Sequence, residues 1–299
     1  MGSKIVFSVI IPTYNRADFI TKTLDSFLNQ TCQDFEIIIV DDGSTDNTNE
    51  VVKPYLSDRI FYYKKKNEER AAARNYGAEK ARGEYVNFFD SDDLALNNHL
   101  IEGVDIITKN SYPTVFHLNY VVKDLEGNLV SESTAIYDVK KQIIEGNPFS
   151  CNGIFIRKDI ALSNPFNALR DLSASEDYEL WLRLIAQYTI ICSPVITSVV
   201  IQHENRSITA MKDPTKLINR FSTFIEISSN NELTKRLLGS RLNYFKMRNY
   251  LLLSVDLASN NFKKLSFKYL LKACSFNMSF CTKRTFYAIL KHLILPKSS

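Results

Sequence analysis

Tyr85-Val86-Asn87-Phe88-Phe89-Asp90-Ser91-Asp92-Asp93 decides how this chain reads. A run suited to a β-strand ends abruptly in a cluster of carboxylates. Residues two apart on extended backbone share a face, so Asp90 and Asp92 come close to one point. Like charges that close repel unless something positive lies between them. A hard divalent cation with oxygen ligands meets that need, and such cations commonly hold phosphate groups. An isolated Asp-x-Asp is far more often a solvated acidic loop, so its meaning depends on the rest of the chain.

Upstream of this stretch, β-rich runs alternate with helical patterns. Phe7-Ser8-Val9-Ile10-Ile11 is followed by an amphipathic stretch near Asp18–Leu28, with Phe19, Leu24, Phe27 and Leu28 on one side. Phe35–Val40 reads as a second strand, with a helix expected from Ser44 or Thr45. Arg59–Tyr63 reads as a third strand, Ala71–Ala81 as a helix and Val86–Phe89 as a fourth strand. Apolar strands alternating with amphipathic helices specify an α/β fold with a mostly parallel sheet covered on both faces. Ligands bind outside the carboxyl ends of such strands. Thr13-Tyr14-Asn15, Asp41-Asp42-Gly43-Ser44 and Asp90-Ser91-Asp92 each follow a strand, so all three are expected along one sheet edge. Neither G-x-G-x-x-G after the first strand nor G-x-x-x-x-G-K-[ST] occurs, so dinucleotide and P-loop readings lose their main support. Phosphates must be held another way, and a cation on Asp92 is one.

The 299 residues allow one large domain or two smaller ones. Hydrophobic residues make up 45% and charged residues 23%, as in an ordinary globular chain. A net charge of +4 is too mild to imply nucleic acid as a partner. The five cysteines are scattered, with no C-x-x-C pair and no Cys/His cluster. That argues against a zinc site and a disulfide framework, and suits a reducing cytosol. The apolar run before Pro12 is too short for a signal peptide, and no stretch reaches the ~18 apolar residues of a membrane span. A cytoplasmic protein, soluble or peripheral at the membrane face, is expected.

Five motifs then fall in order: Ser8-Val9-Ile10-Ile11-Pro12-Thr13-Tyr14-Asn15-Arg16, Asp41-Asp42-Gly43-Ser44-Thr45-Asp46, Ala73-Arg74-Asn75-Tyr76-Gly77, Asp90-Ser91-Asp92-Asp93 and Ser175-Glu176-Asp177-Tyr178. The set resembles the family 2 glycosyltransferases of the GT-A fold, of the kind used in bacterial surface polysaccharide synthesis. The resemblance implies a GT-A, Rossmann-like catalytic domain over residues 1–206 and a C-terminal helical region over 207–299. It implies a nucleotide-diphospho-sugar donor (most often a UDP-sugar), a divalent Mn2+ or Mg2+ cofactor, and a saccharide or lipid-linked saccharide acceptor. Under it, Pro12, Thr13 and Tyr14 adjoin the base, Tyr14 offering a ring face for stacking. Asp42 accepts from the ring N–H of uracil while Ser44 or Thr45 caps the next helix. Arg74 faces the base or its phosphates. Asp92 ligates the metal, Asp90 and Ser91 lie near the ribose and the metal's waters, and His203 reaches the metal or diphosphate with Arg206 beside it. Each has a plainer reading: a tyrosine capping a strand, a simple Asp-Gly turn, a surface arginine, a packing histidine. The Lys64-Lys65-Lys66 run stays unassigned.

Tyr178, Trp181, Leu182 and Ile185 recur at helical spacing, so a helix starts near Asp177. A carboxylate in its first turn feels the positive end of the helix dipole, which favours ionisation. Asp177 is therefore the expected catalytic base, and Ser173-x-x-Glu176 fits a capping box. The implied reaction is one in-line displacement with inversion, since no second carboxylate presents itself for a retaining route. A nucleotidyltransferase on a related sheet is an alternative, but Pro12-Thr13-Tyr14 stands where its glycine-rich loop belongs. A non-catalytic sugar-nucleotide-binding protein is another, and it needs no base.

Val115–Val122 reads as a strand leading into a turn at Asp124–Asn128, and Asn147–Gly153 borders the acceptor site under the same reading. A further strand is expected over Ile196–Gln202, then helices over Leu217–Ile227, Leu233–Asn260 and Phe262–Leu295. After Asp256 there are eight Lys and Arg and no acidic residue, interleaved with Phe and Leu. Such a segment suits an anionic inner-membrane surface, a plain helical cap being the alternative.

Overall fold

The computed structural model describes residues 5–134, 136–204, 206 and 212–277. The parallel half comes first: β1 (Phe7–Thr13), α1 (Ala17–Leu28), β2 (Phe35–Asp41), α2 (Thr48–Val52), β3 (Ile60–Lys64), α3 (Glu69–Lys80) and β4 (Tyr85–Phe88). Every residue of β1 and β2 is buried, as expected of central parallel strands covered on both faces. Their side chains alternate between two cores. Phe7, Val9 and Ile11 meet α1 through Ile20, Leu24 and Phe27, whereas Ile10, Ile38 and Val40 meet α3. Gly77 lets α3 lie directly on β1, since a Cβ there would come within 2.3 Å of Ile10 Cγ2.

The chain continues through β5 (Leu94–Ala95), α4 (His99–Lys109), β6 (Val115–Lys123), β7 (Leu129–Glu132), α5 (Val139–Glu145), β8 (Ile154–Arg157), α6 (Lys158–Ser163), α7 (Glu176–Gln187) and β9 (Ile190–Ile201). The nine-stranded sheet runs β3-β2-β1-β4-β8-β6-β9-β5, with β7 paired to β6. β3, β2, β1 and β4 are mutually parallel, while β8 is antiparallel to both β4 and β6. The expected α/β sheet flanked by helices is present, and the half beyond β4 is mixed.

Four helices follow: α8 (Pro214–Asn230), α9 (Glu232–Leu238), α10 (Leu242–Ser259) and α11 (Lys263–Phe276). The single helix expected over Leu233–Asn260 is broken at Gly239, whose φ of 49° is left-handed, and a 3-10 turn spans Gly239–Arg241. Of the helix expected over Phe262–Leu295, the part beyond residue 277 lies outside the described residues. Secondary structure changes near residue 206, but the core crosses it. Phe224, Leu238 and Phe245 share one cluster with Tyr178, Trp181 and Leu184. Arg220 Nε also donates to Ser175 Oγ at 2.8 Å, and Arg241 pairs with Glu145 at 2.5 Å. The C-terminal helices therefore brace both α7 and the end of α5.

Candidate active site

Three strand ends meet at the carboxyl edge of the parallel half, and Asn15 ties two of them together. It adopts a left-handed φ of 51°, which a short amide side chain tolerates. Its Oδ1 accepts the Thr45 N–H at 2.8 Å, and its own N–H donates to Ser44 Oγ at 2.9 Å. Ser44 and Thr45 are thus committed to the loop and cap nothing. The helix expected from them starts at Thr48, whose N–H is taken by Asp46 at 3.1 Å. Local side-chain bonds have outcompeted helix here.

A cleft of two chambers opens at this edge. The outer chamber (volume ≈ 160 Å³) is lined by Pro12, Thr13, Tyr14, Asp42, Ser91 and Asp92, among others. The inner one (≈ 330 Å³) is lined by Arg74, Tyr120, Asn147, Asn152, Glu176 and Asp177, among others. Arg70, Asp90 and Arg206 line both. Pro12, Thr13, Tyr14, Asp42, Arg74, Asp90, Ser91, Asp92 and Asp177 thus all line one or other of two adjoining chambers, with His203 bonded to Asp92.

In the outer chamber Tyr14 is 46% exposed, leaving its ring open to a flat ligand. Thr13 Oγ1 is buried without a hydrogen-bond partner. Asp42 is buried, and its Oδ1 accepts from Lys65 Nζ and from the Glu68 N–H, each at 3.0 Å. The unassigned lysine run thus gains a role: Lys65 braces Asp42, and Lys64 Nζ donates to Ser44 O at 2.8 Å.

Between the chambers sit the aspartates. Asp90, Asp92 and Asp93 each offer a carboxylate oxygen, all within 4.8 Å of one another. Asp92 Oδ2 lies 3.0 Å from His203 Nε2 and 3.3 Å from Arg16 Nε. Against burial, which raises it, the His203 hydrogen bond and the charges of Arg206 and Arg16 hold Asp92 down to about 2. His203 stacks on Phe19 with ring centroids 4.5 Å apart, which fixes the imidazole plane. Asp93 is already committed to the fold. It accepts from Asn152 Nδ2 at 2.7 Å, the Ile201 N–H at 2.8 Å and Arg206 Nη1 at 2.6 Å. The carboxylates of Asp90, Asp92 and Asp93 make a hard oxygen donor set, which fits Mn2+ or Mg2+, and His203 borders it through its contact with Asp92.

Arg74 is already paired on both arms. It is 1% exposed, donating from Nη1 to Glu176 Oε1 at 2.9 Å and from Nη2 to Asp90 Oδ1 at 2.7 Å. Its place on the buried face of α3 makes it a strut between two carboxylates, at the wall of the inner chamber. Glu176 is correspondingly not part of a capping box. Ser175 is the N-cap residue of α7, Ser173 Oγ instead donates to Glu69 at 3.3 Å, and Glu176 Oε2 is buried without a partner.

Asp177, the second residue of α7, lines the inner chamber. Asn147 Nδ2 donates to its Oδ2 at 3.0 Å, and the Tyr178 N–H to its Oδ1 at 2.7 Å. Burial and the neighbouring Glu176 nevertheless push it up to about 6, with Arg74 pulling the other way. The expected easing of ionisation by the helix end is outweighed. A carboxylate poised there is ionised at neutral pH and basic enough to accept a proton. Sequence reasoning missed the contacts of Arg16 and Asn147. Arg16 stood inside the first motif, but Asn147 carries no local signal.

A helix-flanked, part-parallel sheet with an acidic cleft at its carboxyl edge is the arrangement of a glycosyltransferase of GT-A type. The chain belongs to glycosyl transferase family 2, whose family model matches residues 8–161. An uncharacterized glycosyltransferase of Haemophilus influenzae is 29% identical over 224 residues, 74% of this chain and 85% of that protein. Another, of Rickettsia bellii, is 35% identical over 182 residues, 59% of this chain but 26% of its own length. The putative teichuronic acid biosynthesis glycosyltransferase TuaG of Bacillus subtilis is 40% identical over 111 residues, 36% of this chain and 44% of that one. Among solved structures, residues 1–349 of S. aureus TarS in complex with UDP-GlcNAc superpose with a TM-score of 0.68 at 20% identity, covering 96% of this chain and 88% of that one. At that identity the likeness is one of fold.

Proposed function

We propose that this glycosyltransferase moves a sugar from a nucleotide-diphospho-sugar, UDP-linked, to a hydroxyl of a saccharide acceptor with inversion at the anomeric carbon. The observation that carries the reading is the adjacency of the two chambers: nucleotide-suited groups line the outer one, Asp177 lines the inner one, and Asp90, Arg70 and Arg206 form the wall they share. Tyr14 stacks on the base, Asp42 accepts its ring N–H, and the orphaned Thr13 Oγ1 gains a partner on the donor. Pro12 and Ser91 complete the walls on either side. Arg16, Arg70 and Arg206 counter the diphosphate charge.

Asp92, with His203 and Asp90, would hold a Mn2+ or Mg2+ ion; when bound, such an ion stabilises negative charge on the departing diphosphate. Asp177 accepts the proton of the acceptor hydroxyl as that oxygen bonds to the anomeric carbon and the bond to diphosphate breaks on the opposite face. Asn147 and Arg220 are positioning residues: one holds the carboxylate, the other holds Ser175 at the start of α7. Arg74 keeps Asp90 and Glu176 at fixed separation.

The relatives support this reading without carrying it. TarS structures contain UDP-GlcNAc and UDP, and the mannosyltransferase PcManGT of Pyrobaculum calidifontis contains GDP-Man and Mn2+. PcManGT superposes with a TM-score of 0.54 at 17% identity, covering 98% of this chain and 88% of that one. The name of TuaG, which puts that protein in teichuronic acid biosynthesis, supports a polysaccharide under assembly as the acceptor class. A panel of nucleotide sugars screened for transfer, with UDP affinity measured in parallel, tests the proposal. Asp177→Asn should lower transfer about 10²–10⁴-fold and leave UDP affinity within about 3-fold. Undiminished transfer by that variant would overturn Asp177 as the base.

A further inference from the structure

We infer that the outer face of α11 seats the protein on an anionic lipid bilayer. One side of this helix is already spent. Ser266, Tyr269, Leu270 and Ala273 are buried against α10, where Ser254 and Ser266 exchange side-chain to backbone hydrogen bonds of 2.8 Å in both directions. That docking fixes which face points outward. It carries Lys263, Lys264, Phe267, Lys268, Leu271 and Lys272, all exposed.

Phe267 and Leu271 are 52% and 54% exposed, and residues four apart on a helix are neighbours, so they form one apolar spot. Lysines flank it on every turn, and α11 has no acidic residue. On α10 the single acid, Asp256, is half-buried and interacts with Arg220. Lys272 lies over the Tyr250 ring at 4.4 Å, which keeps its ammonium at the rim of the spot. An apolar pair ringed by long cationic side chains fits the boundary between headgroups and acyl chains. The ring and the leucine enter the apolar layer while the lysines extend toward phosphate. A nucleic acid would use the lysines but leave Phe267 and Leu271 in water, so lipid is the better match. No helix among the described residues is long and apolar enough to cross a membrane, and the contact is with the surface. This inference stands apart from the catalytic reading, because it uses no residue of the cleft.

The test uses the full chain and sedimentation with vesicles of phosphatidylcholine alone or mixed with phosphatidylglycerol. Binding should require phosphatidylglycerol and weaken with salt. Substituting Lys264→Glu and Lys268→Glu should lower it by about 5-fold or more per lysine. Phe267→Ser with Leu271→Ser should lower it about 10-fold even at low salt, while UDP affinity and the unfolding midpoint stay unchanged. Three results would each overturn the inference: no sedimentation with anionic vesicles at low salt; equal binding by the Phe267→Ser/Leu271→Ser variant, which would put the contact elsewhere, such as residues 278–299; or binding to duplex DNA as tight as to vesicles and indifferent to Phe267 and Leu271.

Discussion

Asn147 Nδ2 donates to Asp177 Oδ2 across 3.0 Å, joining the loop ahead of β8 to the first turn of α7. Asn147 is itself oriented, since its Oδ1 accepts the Phe149 N–H at 3.2 Å. The bond favours the ionised form of Asp177, which burial and Glu176 hold near 6. Below that pH a protonated Asp177 cannot accept the acceptor's proton. The acid limb of kcat/KM should therefore fall off near pH 6 in the native enzyme, and at higher pH in Asn147→Ala, because a donor to the charged form is lost. Asn147→Asp places a like charge beside Asp177 and should move the limb further. Rate profiles between pH 5 and about 9 decide this; identical limbs would remove Asn147 from its positioning role.

The same raised Asp177 makes a prediction about stability. Its folded value of about 6 exceeds its ordinary value of 3.8, so the folded state binds the proton more readily than the unfolded chain. The cost of ionising it appears as pH rises from about 4 through about 6 and is fully present above that. Asp177→Asn removes this cost. Its thermal midpoint should rise by about 2–4 °C at pH 7.5 and little at pH 4.5, even as transfer collapses. Calorimetry at both values checks the sign.

Arg74 should be intolerant of replacement for reasons of folding. Arg74→Met leaves the Asp90 and Glu176 carboxylates facing each other without their shared cation, and breaking such a buried arrangement costs about 3–5 kcal/mol. Arg74→Lys should recover only part of this, since an ammonium cannot reproduce two arms of a planar fork. Urea unfolding midpoints would show it.

Cation dependence follows from the donor set around Asp92. Chelation should abolish transfer, and Mn2+ should restore it in the native enzyme but not in Asp92→Ala. His203→Ala should need about 10-fold more Mn2+ for half-maximal activity, as should Phe19→Ala to a lesser degree through the freed imidazole. Activity titrated against free Mn2+ separates the cases. Full activity in the presence of chelator would remove the metal from the proposal.

The parallel half was legible because β1 and β2 are apolar but for Ser8 and Glu36 until each ends in polar residues. Their chemistry had to lie at the carboxyl edge, and it does. The mixed half resisted because β8 has four residues and pairs with β4 and β6 from far along the chain. Short-range pattern does not encode such register. Glu176 looked like a local cap because its true partner, Arg74, is 102 residues away. The helix start placed at Ser44 or Thr45 failed for the same reason, since Asn15, 30 residues upstream, claims the Thr45 N–H. Composition also could not reveal that Phe224 and Phe245 pack on Tyr178, at ring distances of 4.8 and 6.4 Å.

The family model stops at residue 161, yet Asp177 is held from outside that span, by Arg220 through Ser175 and by Phe224 and Phe245 through Tyr178. The seam at β4–β8 joins the two halves by backbone pairing of Tyr85–Asn87 with Phe155–Arg157. On the proposed reading, a grip on the donor built on one side can thus remain while the opposite wall and its helical buttress are recast for a different acceptor.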